Sequence, residues 1–250
     1  MIELSANAFR PTALVPAGTR LYAVGDIHGR KDLLDRLLGA ILRDAVRSRA
    51  RRRVVVFLGD YIDRGPHSRE VVETLRQGPP NEPRWSGFSW VCLRGNHEEA
   101  LLRFLADALA GPTWLANGGM AAIDSYAGPQ RDAHDLLSLQ EALQRGLPGE
   151  HRSWLESLPH SHAEGDYFFA HAGVRPGVPL HRQDPMDLMW IRREFLDSAA
   201  EFGKVVVHGH TVTDQPVQRH NRIGIDTGAY RSGRLTALVA EGAERGFLSS

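Results

Sequence analysis

A chain of 250 residues that is 42% hydrophobic, with a formal net charge of zero, has the apolar content for one large domain or two small ones and is not a disordered chain. No apolar run approaches the ~20 residues a membrane helix requires, and the N-terminus, with Glu3, Pro11 and Pro16, lacks a basic-then-apolar signal pattern, so a cytoplasmic protein is expected. The single cysteine, Cys92, excludes an internal disulfide framework, and neutral net charge excludes a global pull towards nucleic acid.

In chain order, Leu21-Tyr22-Ala23-Val24 predicts a buried strand running into a loop at Gly25-Asp26. Helical spacing follows over 31–46, through Leu33, Leu34, Leu37, Leu38, Ile41, Leu42 and Val46. The basic run Arg47, Arg49, Arg51, Arg52 and Arg53 reads as the solvated end of that helix, where cations suit the negative end of the dipole. It is short and has no interleaved aromatics, which argues against a nucleic-acid or membrane patch. Val54-Val55-Val56-Phe57-Leu58 is a continuous β-branched strand, buried on both faces, ending at Gly59-Asp60. A helix is expected near 67–77, a proline-rich loop over 78–87, a strand at Trp90–Leu93 and a helix to about Ala110. The segment from about 112 to 160 reads as a helical cap over the cleft. Then come a strand at Tyr167–Ala170, a helix near 185–201 and a strand at Val205–Val207. The tail, with Arg222–Asp226 and Leu235–Val239, reads as strands of one hairpin-rich sheet. No repeat or long linker divides the chain, so residues 1–250 are expected to form a single domain.

Five motifs sit at the ends of these strands: GDIHG (25–29), GDYIDRG (59–65), LRGNHE (93–98), HAGV (171–174) and HGHT (208–211). The strand–loop–helix units place polar loops at strand carboxyl ends, where open α/β sheets bind ligands. Asp26 and His28, two residues apart in an extended segment, are expected to project to the same side and reach one ion. Asp60 can bridge two ions, Asn96 offers an amide oxygen, and His171 and His210 offer imidazole nitrogens. Oxygen and nitrogen ligands without thiolate suit manganese, iron or zinc. Two such ions would clamp a phosphate and acidify a shared water, making a bridging hydroxide the expected nucleophile. His97 can then protonate the leaving oxygen, with Asp63 orienting its imidazole. Arg64 and Arg192 can hold phosphate oxygens, and Arg94 and Asn96 are further candidate substrate contacts. Singly, each residue has a plain structural reading: helix cap, core histidine or surface arginine. Metal-ligand types falling at successive strand ends in order are not accounted for that way.

These motifs resemble the phosphoprotein phosphatase family of metallophosphoesterases, and within it the phage lambda protein phosphatase type found in bacteria. The resemblance runs from about Leu21 to Val239 and includes Trp114-Leu115-Ala116-Asn117-Gly118-Gly119, Met189-Trp190-Ile191-Arg192 and Ile225-Asp226-Thr227-Gly228-Ala229. It implies an α/β fold with a central β-sandwich flanked by helices, the calcineurin-like metallophosphoesterase fold. It implies a first metal on Asp26, His28 and Asp60 and a second on Asp60, Asn96, His171 and His210, with manganese as the usual ion. His97 is then the general acid, Asp63 its partner, and Arg64 and Arg192 the phosphate ligands. The family's last ligand directly follows a glycine, which selects His210 over His208. Nuclease-type relatives carry a further histidine two positions on, where this chain has Val212.

The expected activity is hydrolysis of phosphoserine or phosphothreonine in proteins. The alternative is hydrolysis of dinucleoside polyphosphates such as diadenosine tetraphosphate, although that branch as a rule lacks an aspartate at the Asp63 position. An inactive phospho-binding regulator would lose a ligand or the acid, and here the set is whole. No nucleic acid or membrane partner is expected, and the protein is read as a monomer or weak oligomer. Asp226-Thr227-Gly228 resembles an aspartic protease motif, but it occurs once where that chemistry needs two, so a turn is the better reading. Cys92 has Glu98, not arginine, six residues on, which fits an inert strand thiol and not a thiolate nucleophile. Asn117-Gly118-Gly119 either lines the cleft or makes a turn.

Overall fold

The structure is a computed structural model and describes residues 13–130 and 135–250; the N-terminal features at Glu3 and Pro11 lie outside the described residues. The chain opens with three strand–helix units: β1 (Thr19–Val24) and α1 (Lys31–Ala45), β2 (Arg52–Phe57) and α2 (Ser68–Gln77), β3 (Phe88–Cys92) and α3 (Asn96–Ala106). The segment expected to be helical then holds α4 (Gly111–Trp114), a π-helical turn (Leu115–Gly119), α5 (Met120–Ala127), α6 (Leu136–Gly146) and α7 (Gly149–Ser157). A hairpin follows, β4 (Ser161–Glu164) and β5 (Tyr167–Ala170). After it come α8 (Pro185–Trp190), α9 (Arg193–Leu196), β6 (Val205–His208), β7 (Val217–Gln218), β8 (Arg222–Gly224), α10 (Ala229–Ser232), β9 (Thr236–Glu241) and β10 (Glu244–Ser249).

The strands form two sheets, ordered β10-β9-β1-β2-β3 and β4-β5-β6-β8-β7. The expectation of one C-terminal hairpin sheet is therefore corrected. β8 runs parallel to β6 in the second sheet, while β9 pairs antiparallel with β1 in the first. The period-2 alternation of strand side chains explains the layering. Leu21, Ala23, Val54 and Val56 point inward, meeting Tyr167, Phe169, Val207 and Ile223 of the opposite sheet in one core. The residues between them, Tyr22, Val24, Val55 and Phe57, face outward and join Leu33, Leu34, Leu37 and Val71 of α1 and α2 in a second core. Both faces of β2 are thus buried, as its uniform apolar run predicts, at roughly 1.5–3 kcal/mol per large side chain. On the other side, Phe168, Ala170 and Val206 pack against Leu188 and Phe195 of α8 and α9. The result is the expected sandwich flanked by helices.

The basic run is not all solvated helix end. α1 stops at Ala45, and Arg52 and Arg53 open β2. Arg52 forks onto Glu164 of β4 (2.8 and 2.7 Å), tying the two sheets at the end away from the motif loops. Those loops leave β1, β2, β3, β5 and β6 on one side because these strands run parallel within each sheet. Among the described residues no helix is long and apolar enough to cross a membrane.

Candidate active site

Backbone strain marks the site. Among the described residues, those with positive φ other than glycine are His28 (47°), Asp60 (52°), Asp63 (72°), Arg64 (64°) and His210 (61°). Left-handed backbone costs an L-residue roughly 1–2 kcal/mol, and such strain persists only where surrounding structure enforces it. All five belong to the motifs. The extended Asp26–His28 geometry expected from spacing is accordingly not what forms. His28 turns left-handed and its Nδ1 donates to Ile62 O (2.8 Å), while Asp26 Oδ2 accepts from the His210 backbone N–H (3.0 Å). The motif glycines make room for this. A Cβ on Gly209 would run into Asp26 Oδ1, and one on Gly95 into Asp60 Oδ1.

Two groupings could each hold a metal ion, and both contain Asp60: His28, Asp60 and His97, and Asp60, His171 and His210. His171 Nδ1 faces Leu58 O (3.0 Å), a hydrogen bond that needs the proton on that nitrogen. The bare Nε2 then lies 2.8 Å from Asn96 Oδ1, 3.4 Å from Asp60 Oδ1 and 3.2 Å from His210 Nδ1. The Asn96 and Asp60 oxygens face this bare nitrogen lone pair to lone pair, an arrangement a cation would satisfy. Asp26 Oδ1 and His210 Nε2 are buried without a hydrogen-bond partner. Burial, with Asp226 and Asp60 close by, pushes the Asp26 carboxyl well above its usual range. Burial pulls His28 down to about 3 and lowers His171 and His210, leaving them as neutral imidazoles, the form that ligates. The donor set and its orphaned atoms fit bound divalent cations. A third grouping, Glu73, Glu150 and His151, joins α2 to α7 and already pairs with Arg76.

His97 differs from its neighbours. Burial opposes its charge, but Asp60 and the hydrogen bond to Asp63 outweigh it and raise His97 to about 9. Its Nδ1 lies 2.5 Å from Asp63 Oδ2, and Trp114 Nε1 donates to the same oxygen (2.6 Å). Indole is a donor only, so Oδ2 accepts from Trp114, which favours the carboxylate form and a proton on His97 Nδ1 even though burial pushes the Asp63 carboxyl up. A protonated imidazole is an acid and a poor ligand, so the raised affinity of His97 for its proton, and not its position, sets it apart from the metal-binding groups among which it stands.

Asp26, Asp60, Arg64, Asn96, His97, Arg192 and His210 line one cavity of ≈ 270 Å³, with Trp114, Asn117 and Trp190 on its walls. Arg64 reaches His28 Nε2 (2.8 Å) and His97 Nε2 (3.3 Å) with its terminal nitrogens. The lone pair on His28 Nε2 serves one partner at a time, so ion binding there and this hydrogen bond exclude each other. The single helix expected over 185–201 is broken: Ile191 is extended (ψ 144°), and Arg192 follows with φ −131° and ψ −101° between α8 and α9. That break turns Arg192 into the cavity, 3.5 Å from Thr211 Oγ1.

Arg94 is corrected. Its guanidinium donates to Glu99 (3.1 Å) and to the Leu155 and Glu156 carbonyls (3.0 and 2.5 Å) at the end of α7, away from the cavity. It fastens the end of α7 and is not among the residues lining the cavity. His208 is buried against Phe195, its ring held down to about 4 by burial. Burial pushes the Cys92 thiol up, consistent with an inert strand residue.

Other residues of the site are given no role by the sequence motifs. Glu98 accepts from the Asp60, Tyr61 and Gly95 N–H groups (2.9, 2.8 and 2.9 Å), pinning the two central loops to each other. Its i+3 spacing from Gly95 at a helix start is a capping signal that sequence alone could have used. Ser68 Oγ accepts from Asp63 N (3.0 Å). Trp114 and Tyr230 are distant in sequence and become visible only in three dimensions.

A buried carboxylate–imidazole cluster beside an imidazolium and two arginines is the equipment of a hydrolase acting on phosphoesters. The calcineurin-like phosphoesterase family matches residues 19–221, and the chain belongs to that family. It is similar to serine/threonine-protein phosphatase 2 of Escherichia coli K12, 28% identical over 224 residues, covering 86% of this chain and 90% of that protein. It is also similar to the asymmetrical bis(5'-nucleosyl)-tetraphosphatase PrpE of Halalkalibacterium halodurans, 25% identical over 236 residues, with 86% and 87% covered. A solved protein serine/threonine phosphatase from Saccharomyces cerevisiae has the same fold, with a TM-score of 0.58 at 15% identity, covering 94% of this chain and 80% of that one.

Proposed function

We propose that this metallophosphoesterase is a phosphomonoesterase of the serine/threonine protein phosphatase type. We infer two divalent ions, manganese first among candidates and iron or zinc next, held by Asp26, His28 and Asp60 and by Asp60, Asn96, His171 and His210. When bound, such ions polarise phosphoryl oxygens and make water acidic enough to attack phosphorus. The chain's own residues do the rest. Arg64 and Arg192 receive the phosphoryl oxygens and offset charge in the transition state. His97 Nε2 delivers a proton to the leaving oxygen, and Asp63, fixed by Trp114 and Ser68, aims the ring.

The observation that carries this reading is the buried His97–Asp63 pair, with His97 Nδ1 2.5 Å from Asp63 Oδ2. A serine or threonine alkoxide is a strongly basic leaving group and departs poorly without a proton. A polyphosphate departs as a stabilised anion and needs an acid far less. The likeness to a tetraphosphatase along most of both chains supports the second reading, a dinucleoside polyphosphate hydrolase. Initial rates of one manganese-loaded preparation on a phosphothreonine peptide and on diadenosine tetraphosphate decide between them. Preference for the peptide is expected. Preference for the dinucleotide would keep the metal site and overturn the substrate, and no turnover of either with metal bound would overturn both.

A further inference from the structure

We infer that Tyr230 is a positioning residue for phosphate capture: its ring, with the Asn117–Gly118 carbonyls of the cap, clamps Arg64 so that both terminal guanidinium nitrogens face the cavity. The inference rests on Arg64 being a phosphate ligand. Three contacts fix the arginine away from its working end. Its Cζ lies 4.4 Å from the centre of the Tyr230 ring. Its Nε donates backwards to Asn117 O (3.3 Å), and its backbone N–H donates to Gly118 O (3.1 Å). Gly118 has φ +105°, and a Cβ there would stand 2.7 Å from Arg64 Cγ, so this close approach requires glycine. With Nε and one face spent, the two terminal nitrogens remain; here they rest on His28 Nε2 and His97 Nε2, and an ion on the first and a proton on the second would release them to grip two oxygens of one phosphoryl group.

The clamp also gives the Asp226-Thr227-Gly228 motif a task. Asp226 Oδ1 accepts from Gly228 N (2.9 Å), and Gly228 takes φ +64° to open α10. Arg30 holds the Ala229 carbonyl (3.0 Å). Those bonds aim the next residue, Tyr230, over Arg64 and edge-on to His28 at 5.5 Å. A free arginine side chain pays rotamer entropy each time it binds an anion. One already stacked and tied at Nε has less to lose.

The test compares manganese-loaded Tyr230→Phe, Tyr230→Leu, Arg64→Ala and the Tyr230→Leu/Arg64→Ala double variant. Inorganic phosphate is titrated calorimetrically, kcat and KM are measured, and metal content and Tm serve as controls. Tyr230→Leu is expected to weaken phosphate binding roughly 3- to 10-fold, the size of a partly exposed cation–π contact. Tyr230→Phe, which keeps the ring, is expected to restore affinity, and Tyr230→Leu to add nothing once Arg64 is gone. Unchanged affinity in Tyr230→Leu beside a clear loss in Arg64→Ala would overturn the clamp alone. No loss in Arg64→Ala would overturn the underlying arginine reading. Equal losses in Phe and Leu variants, or lost metal in Tyr230→Leu, would assign the effect to the hydroxyl or to His28 and overturn the inference.

Discussion

Replacing His97 with asparagine removes the proposed proton donor while leaving the ligand Asn96 and the Asp60 loop in place. His97 is 4% exposed, and its Nδ1 contact to Asp63 is 2.5 Å, so the donor sits in a fixed geometry at the cavity wall. A positioned general acid contributes about 10²–10⁴-fold, and its share grows with the basicity of the leaving group. His97→Asn should therefore lose about 10²–10⁴-fold in kcat on a phosphothreonine peptide and less than about 10-fold on 4-nitrophenyl phosphate, whose phenolate needs little help. Asp63 Oδ2 retains its Trp114 bond but loses a charged donor, which should cost about 1–3 kcal/mol of stability, a loss of a few degrees in Tm. The assay is steady-state turnover on both substrates, with metal content measured in parallel. Equal losses on the two leaving groups, with metal retained, would refute the acid assignment.

The pH dependence follows from the same pair. His97 is raised from its usual value to about 9, so the stability from the charged pair is complete below about 6.5 and lost as pH rises through about 9. The proton-donating form disappears over the same range, so kcat on an alkyl phosphate should fall there, and Asp63→Asn should move that fall to lower pH. A kcat–pH profile unmoved by Asp63→Asn would count against the dyad. Asp60→Asn should weaken both ions together, because Asp60 belongs to both groupings; elemental analysis finding two fully retained ions would contradict a bridging role. Arg94→Ala should leave KM for phosphopeptide within about 2-fold while lowering Tm, since the guanidinium serves Glu99 and the end of α7; a large KM rise with unchanged Tm would restore it to the substrate.

Much of this protein was legible in its sequence because the central strands are uniformly apolar and end abruptly at glycine. β2 could be drawn from Val54–Phe57 alone, and the motif loops at the carboxyl ends of β1, β2, β3, β5 and β6 located the site. β4 and β10 were missed, since Ser161–Glu164 and Glu244–Ser249 show no apolar alternation and owe their extended form to the neighbours they pair with. The identities of Asp26, His28, Asp60, Asn96, His171 and His210 were readable as ligand types in order. Their positions were not, because His28, Asp60 and His210 sit in left-handed turns that spacing does not encode.

What the sequence determined by itself is chemical: which groups are present, that they sit after buried strands, and that they suit a phosphoester and divalent ions. Direction was decided by the tertiary structure. Arg94 and Arg192 are alike on paper, yet one is spent on carbonyls of the cap and the other is swung into the cavity by a broken helix. Trp114 lies 51 residues from Asp63, and Tyr230 is still farther from Arg64 in sequence, and both partnerships exist because separate segments close over the strand ends. A residue's type sets what it can bond. Which of its possible partners it meets is fixed by the packing that excludes water from all the others.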